Sequence, residues 1–241
     1  MTITFDPLGE AAVKLTFNEE VSPALNRKIQ VFCRELASSS KPGITEWVPA
    51  YDSVTIYYEP WNFSYEEITA YLKEVASHND NEQTKLKSIV TIPTLYGGDY
   101  GPDLEELAES KKMNPEDIIT LHTKGDYLVN MIGFLPGFPY LSGLDERIAM
   151  PRLENPRQTV PAGSVGIAGN QTGIYPLESP GGWNLIGRTP LRLFEPEKEE
   201  TFLFQPGDYL QFHSVSEEEF RRIQREIEEG TYKLKRKEET V

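Results

Sequence analysis

Between Met131 and Pro190 the chain uses glycine and proline at a density that regular helices and strands do not tolerate. The stretch reads Met131-Ile-Gly-Phe-Leu-Pro-Gly-Phe-Pro-Tyr-Leu141, then Pro161-Ala-Gly-Ser-Val-Gly-Ile-Ala-Gly-Asn-Gln-Thr-Gly-Ile-Tyr-Pro176, then Ser179-Pro-Gly-Gly-Trp-Asn184. Glycine reaches backbone angles that other residues avoid, and proline fixes one angle and removes a donor. A chain that alternates the two is fixing loop shapes, and shaped loops on a rigid scaffold are where function concentrates. Short segments broken by Pro-Gly, Gly-Gly and Gly-Asp from here to His213 suggest a closed or nearly closed β-barrel rather than a βαβ sheet.

The rest of the chain divides around that region. Residues 1–80 read as a small α+β domain. Glu10–Phe17 and Asp52–Tyr58 alternate apolar and polar positions as half-buried strands do, and Gly43–Pro49 is a shorter strand candidate. Ser22-Pro23 caps a helix whose apolar stripe runs to Leu36. Ser64 and Glu67 form a capping box for a second helix that buries Ile68, Tyr71, Leu72 and Val75. Two helices on one face of a four-strand sheet is the economical arrangement. The polar stretch Ser77–Lys85 reads as a linker.

The second domain, residues 86–230, opens with a strand at Leu86–Pro93. Helices follow at Pro102–Lys111 and Pro115–Lys124. Tyr127–Phe134 is a strand buried on both faces. Ser216 and Glu219 cap a final helix carrying Phe220, Ile223 and Ile227, and the charged tail Lys233–Val241 is expected to fray.

Bulk properties exclude several function classes. The 241 residues carry 38 acidic against 24 basic side chains, a net charge of −14. A surface of that sign repels a phosphate backbone, so nucleic acid is not an expected partner. No run approaches the roughly 18 apolar residues of a membrane span. The N-terminus lacks a signal-peptide pattern, so a cytoplasmic protein is expected. Cys33 is the sole cysteine. It lies at helical spacing from Leu25, Ile29, Phe32 and Leu36, which reads as a structural thiol. His78, His122 and His213 are far apart, so no protein-held transition metal is expected.

Individual motifs carry paired readings. Gly182-Trp-Asn-Leu-Ile-Gly-Arg188-Thr189 copies a phosphate loop with arginine for lysine, but Pro190 follows where a helix must start. Gly163–Gly173 is either a phosphate cradle or a tight hairpin between barrel strands. His122, near the end of its helix, is either a packed residue or a proton carrier. Arg152 and Arg157, set among prolines, are a fork for a carboxylate or phosphate, or solvated loop charges. The loop at Phe138 is a pocket wall or a turn. Asp103, Glu105 and Glu106 read as solvated charges at a helix start.

The ordered motifs Gly133–Leu141, Pro161–Gly169, Gln171–Pro176 and Pro180–Trp183, with Tyr96–Glu105 and Leu121–Thr123, resemble one family closely. That family comprises the B subunits of bacterial 5-oxoprolinase, the PxpB/KipI family, also labelled allophanate hydrolase subunit 1. The resemblance implies a small ferredoxin-like or similar α+β first domain and a cyclophilin-like barrel, which with the C-terminal helix read above makes an α+β fold. It implies an ATP-dependent enzyme complex that opens 5-oxo-L-proline to L-glutamate. The partners in that complex would be A and C subunits, the latter resembling a biotin-dependent carboxyltransferase. ATP, with Mg as its counter-ion, would be shared with those partners, and the chain alone would be inactive. The resemblance raises Arg152 and Arg157 as anion clamps and His122 as proton carrier. Gln171, Thr172 and Gly173 would contact the ligand between Phe138 and Trp183. Two other readings travel with the family: a non-catalytic inhibitor of a sporulation histidine kinase, and a carboxyltransferase-like component of urea or allophanate metabolism.

Overall fold

A computed structural model describes residues 3–39, 41–77 and 86–240. Most of the expected linker, 78–85, and His78 lie outside the described residues. The chain divides into two compact units, Met1–Lys85 and Leu86–Val241.

In the first unit the strands are β1 (Ile3–Pro7), β2 (Ala12–Phe17), β3 (Ile44–Pro49) and β4 (Ser53–Tyr58). The helices are α1 (Pro23–Ser39) and α2 (Tyr65–Ser77). The sheet order is β1-β2-β4-β3, antiparallel throughout. Strand alternation puts Val13, Leu15 and Phe17 of β2 on one face with Val54, Ile56 and Tyr58 of β4. Both helices bury their apolar stripes there, α1 with Leu25, Ile29, Phe32 and Leu36, α2 with Ile68, Leu72 and Val75. Each such side chain contributes about 1.5–3 kcal/mol on burial. The caps form as the sequence requires: Leu25 N–H donates to Ser22 Oγ at 3.2 Å, and Ser64 and Glu67 exchange backbone-to-side-chain bonds of 2.8 and 3.2 Å. The chain order is ββαββα, not the βαββαβ of a ferredoxin-like unit. The edge beside β2 is taken by β1, from before the first helix, a strand that sequence patterning did not reveal.

The second unit is a barrel. Its strands are β5 (Leu86–Tyr96), β6 (Tyr127–Ile132), β7 (Pro139–Ser142), β9 (Ser164–Ala168), β10 (Gln171–Ile174), β12 (Asn184–Arg188) and β13 (Tyr209–Ser214). They run in the order β12-β9-β10-β7-β6-β13-β5, and β5 closes the ring by pairing Leu95 and Tyr96 with Arg188 and Gly187 of β12. Among the described residues, β13 and β5 are the one parallel pair of this barrel. Val165, Ile167, Ile174, Ile186 and Phe212 fill the interior, joined by Leu104 and Leu107 of α3 (Leu104–Lys111) and Ile118 of α4 (Pro115–Lys124). A two-strand ribbon, β8 (Arg157–Val160) with β11 (Ser179–Gly181), lies beside the barrel strands, and α5 (Glu217–Glu228) follows β13.

Two of the paired readings are decided here, and one expectation is corrected. Gly163–Gly173 is not a phosphate cradle: β9 and β10 pair directly, and Gly169 (φ +60°) makes the two-residue turn with Asn170. The Walker-like segment is strand β12, with no helix behind it. The tail does not fray: Arg236–Thr240 forms β14, antiparallel to the first half of β5, so the second unit runs past residue 230. A charged sequence suits an edge strand, which needs backbone partners on one side only. No helix among the described residues is long and apolar enough to cross a membrane.

Candidate functional site: two faces of one hairpin

The β9–β10 hairpin separates the expected site residues into two groups. In β10, Thr172 and Ile174 point into the barrel, so Gln171 and Gly173 face outward. In β9, Val165 and Ile167 point inward, so Gly166 faces outward opposite Gly173.

On the outer face, Phe138, Tyr175 and Trp183 form an aromatic cluster with Val160, Ala168 and Leu185. Phe138 stands edge-on to Trp183 at 5.5 Å and to Tyr175 at 5.4 Å. Gly173 is what allows the rings to sit down on the strand. A Cβ there would lie 3.0 Å from Trp183 Cζ3 and 3.2 Å from Phe138 Cζ. The rim is Phe134, 67% exposed, edge-on to Phe138 at 5.7 Å. Its φ of +69° is a strained conformation for an aromatic residue, a feature that concentrates at ligand clamps. Burial pushes the Tyr175 phenol up, while a backbone hydrogen bond from Trp183 and the charges of Arg152 and Arg157 pull it back. The Leu153 N–H donates to the Gly182 carbonyl at 2.8 Å and Arg157 to the Trp183 carbonyl, so both arginines lie on chain that meets this cluster.

They are held differently. Arg157 donates to the Asp103 carboxylate and to the Trp183 carbonyl at 3.4 Å. Asp103 is 7% exposed, and its other oxygen accepts from the Leu185 N–H at 2.6 Å. The expectation of a solvated Asp103 is thus corrected: its carboxylate fastens the start of α3 to β12 and occupies part of the Arg157 fork. Arg152 is exposed and has no ion pair among the described residues.

On the inner face, His122 and Thr172 are both fully buried. The Thr172 hydroxyl donates to the Gly166 carbonyl at 3.0 Å, so it accepts from His122 Nε2 at 2.9 Å. Nδ1 then accepts from the Tyr96 hydroxyl at 2.7 Å. The ring is wrapped by Tyr96, Tyr127 and Phe212, with centroids 5.7, 5.3 and 4.4 Å away. Burial without a counter-charge pushes the His122 pKa down to about 3. Full burial keeps both side chains inside the barrel, because α4 aims His122 inward rather than along the surface. The structure therefore does not bring His122 and Thr172 together with Phe138, Gly173 and Trp183.

The outer face therefore gathers Phe138, Gly173, Trp183, Arg152 and Arg157, with Gln171 on the same side of the strand. Asp103 and Tyr175 were missed by sequence reading. Gly181, where a Cβ would collide with the Tyr175 hydroxyl, was the signal that could have found the second.

Comparison with known proteins fits this architecture. Residues 3–204 match the family model "Carboxyltransferase domain, subdomain C and D". The 5-oxoprolinase B subunit of Bacillus subtilis (strain 168) is 39% identical over 238 residues, 94% of this chain and 99% of the relative. The solved structure of TTHA0988 is 36% identical with a TM-score of 0.75, covering 85% of this chain; the present chain spans only 40% of that longer one. The K. lactis urea amidolyase shares the fold, with a TM-score of 0.81 at 20% identity, over 99% of this chain and 16% of that one. On these grounds the chain belongs to the carboxyltransferase subdomain C and D family, among the 5-oxoprolinase B subunits.

Proposed function

We propose that the chain serves as the B subunit of an ATP-dependent 5-oxoprolinase, opening 5-oxo-L-proline to L-glutamate together with A and C subunits, the latter carboxyltransferase-like. The observation that carries this reading is the end-to-end similarity to a 5-oxoprolinase B subunit, 39% over 94% of the chain. The outer-face cluster supports it chemically. A five-membered lactam is a poor electrophile, and phosphorylating its amide oxygen creates a leaving group. Such a step needs a held carboxylate, a place for phosphate charge and exclusion of bulk water.

In this reading Arg152 takes the substrate carboxylate, because its guanidinium is not committed elsewhere. Arg157, fixed by Asp103, supplies a positive charge of set position. Phe138 and Trp183 wall the ring, and Gln171 offers a hydrogen bond. His122 acts through the hairpin by fixing Thr172 and Gly166. ATP and its Mg are bound with the partner subunits, and the chain alone is inactive because an open outer face cannot exclude water.

The test is reconstitution. The chain is combined with candidate A and C subunits, and ATP hydrolysis is followed with 5-oxoproline, urea or allophanate. Turnover needing all three chains and 5-oxoproline alone is expected. Arg152→Ala should raise KM for 5-oxoproline at least tenfold with the complex intact. Turnover by the A and C components without this chain, or with urea in place of 5-oxoproline, would overturn the reading.

A further inference from the structure

The Walker-like segment cannot cradle a nucleotide, yet its cation has no carboxylate partner among the described residues. Arg188 ends β12 opposite Ser164 of β9 and Leu95 of β5. Residues opposed across a ladder share a face. Ser164 alternates with the inward Val165, so Ser164 and Arg188 lie outside the barrel. The guanidinium carbon of Arg188 sits 5.3 Å from the centre of the Tyr100 ring, and Tyr100 is braced by Phe220 at 5.0 Å. An aromatic face orients a cation without neutralising it.

What should neutralise it is missing. The chain has 38 carboxylates to 24 basic groups, and Arg157, Arg222 and Arg236 each meet at least one of them. No carboxylate among the described residues pairs with Arg188. Its Nε is shut off from solvent with no acceptor, and the Oγ of fully buried Ser164 has no partner either. Two such atoms on residues opposed across one rung of the ladder call for an explanation. The residue as a whole is half-buried, so some of it meets solvent although Nε does not.

We propose that Arg188, oriented by Tyr100 and flanked by Ser164, binds a small oxyanion, a carboxylate or a phosphate, on the outer seam between β5 and β12. A planar fork matches both groups in a bidentate way. The β12 amides are in a strand rather than at a helix start, so the site takes a single oxyanion and not a triphosphate. The inference stands apart from the 5-oxoproline reading, because it needs neither partners nor turnover.

The experiment titrates the full chain, isotopically labelled, with inorganic phosphate in one arm and acetate in the other, at constant ionic strength. Backbone amide signals of Gly98, Tyr100 and Ser164 report on the site. A saturable shift of these signals is expected, and the arm that saturates at lower concentration identifies the oxyanion class. Arg188→Lys keeps the charge but loses the fork, and should weaken binding at least tenfold with the remaining spectrum unchanged. Ser164→Ala, a smaller change, should weaken it several-fold. Saturation that survives unchanged in both variants overturns the proposal. So does saturation in neither arm, which would assign the arginine to a carboxylate on a partner protein instead.

Discussion

Replacing Thr172 by valine keeps the volume and the β-branch and removes only the hydroxyl. That hydroxyl is fully buried, donates to Gly166 and accepts from His122. Its loss strands the His122 Nε2–H in the core and deprives the Gly166 carbonyl of a donor. A buried polar group left unmade costs about 1–3 kcal/mol, so the pair should lose about 2–6 kcal/mol. Thr172→Ser keeps the hydroxyl and deletes one methyl, a loss of about 1 kcal/mol. The two units have separate cores, so a global unfolding signal would mix them. Of the tryptophans, Trp47 and Trp61 lie in the first unit and Trp183 in the second. In a Trp47→Phe/Trp61→Phe background, Trp183 fluorescence reports the barrel alone. With a urea slope of about 2 kcal/mol per molar, the valine variant should unfold about 1–3 M earlier than its parent and the serine variant by about half a molar. A valine variant as stable as the serine one would refute the hydrogen-bonded chain through His122.

Other outcomes follow from the same geometry. His122 titrates near 6.5 when unfolded and near 3 when folded, so the unfolded state binds the extra proton between those values. Barrel stability should be full above about pH 6.5 and fall by about 1.4 kcal/mol per unit as pH drops toward 3. His122→Phe should flatten that slope, and an unchanged slope in the variant would count against a buried neutral imidazole. Asp103→Asn should cost about 3 kcal/mol, because it leaves Arg157 without its counter-charge; a melting temperature within a degree of wild type would show the pair to be dispensable. Partial burial raises the Cys33 thiol to about 12, so alkylation at pH 8 should run far more slowly than at a free thiol. A native-state rate near that of a free thiol would contradict its burial.

Much of the fold was legible because local signals agreed with the global answer. Ser22-Pro23 and Ser64 with Glu67 opened helices where capping chemistry says they should, and the apolar run from Tyr127 became a central barrel strand. β1 and β14 were not legible. Ile3–Pro7 buries little and Arg236–Thr240 is all polar, so neither shows alternation; each is specified by the edge it completes. The site was half legible. Phe138, Gly173 and Trp183 lie together because glycine and aromatic residues alternate where rings must rest on backbone. His122 and Thr172 misled because their chemistry is the same inside a barrel as outside it. Only the strand's parity decides between the two, and one sequence does not announce which face is the core. Asp103 misled for the converse reason: a helix start usually solvates its acids, and the arginine it meets lies 54 positions away.

The seat for Trp183 and Phe138 is bare backbone, with no side chain of its own to exchange. On the reading proposed above, selectivity among ring-shaped ligands cannot be retuned from beneath, where any added atom lifts the aromatic walls. Variation that changes what this surface accepts has to come from the loops overhead, around Phe134 and between Arg152 and Arg157. Libraries aimed at new substrates belong there, with the paired glycines kept fixed.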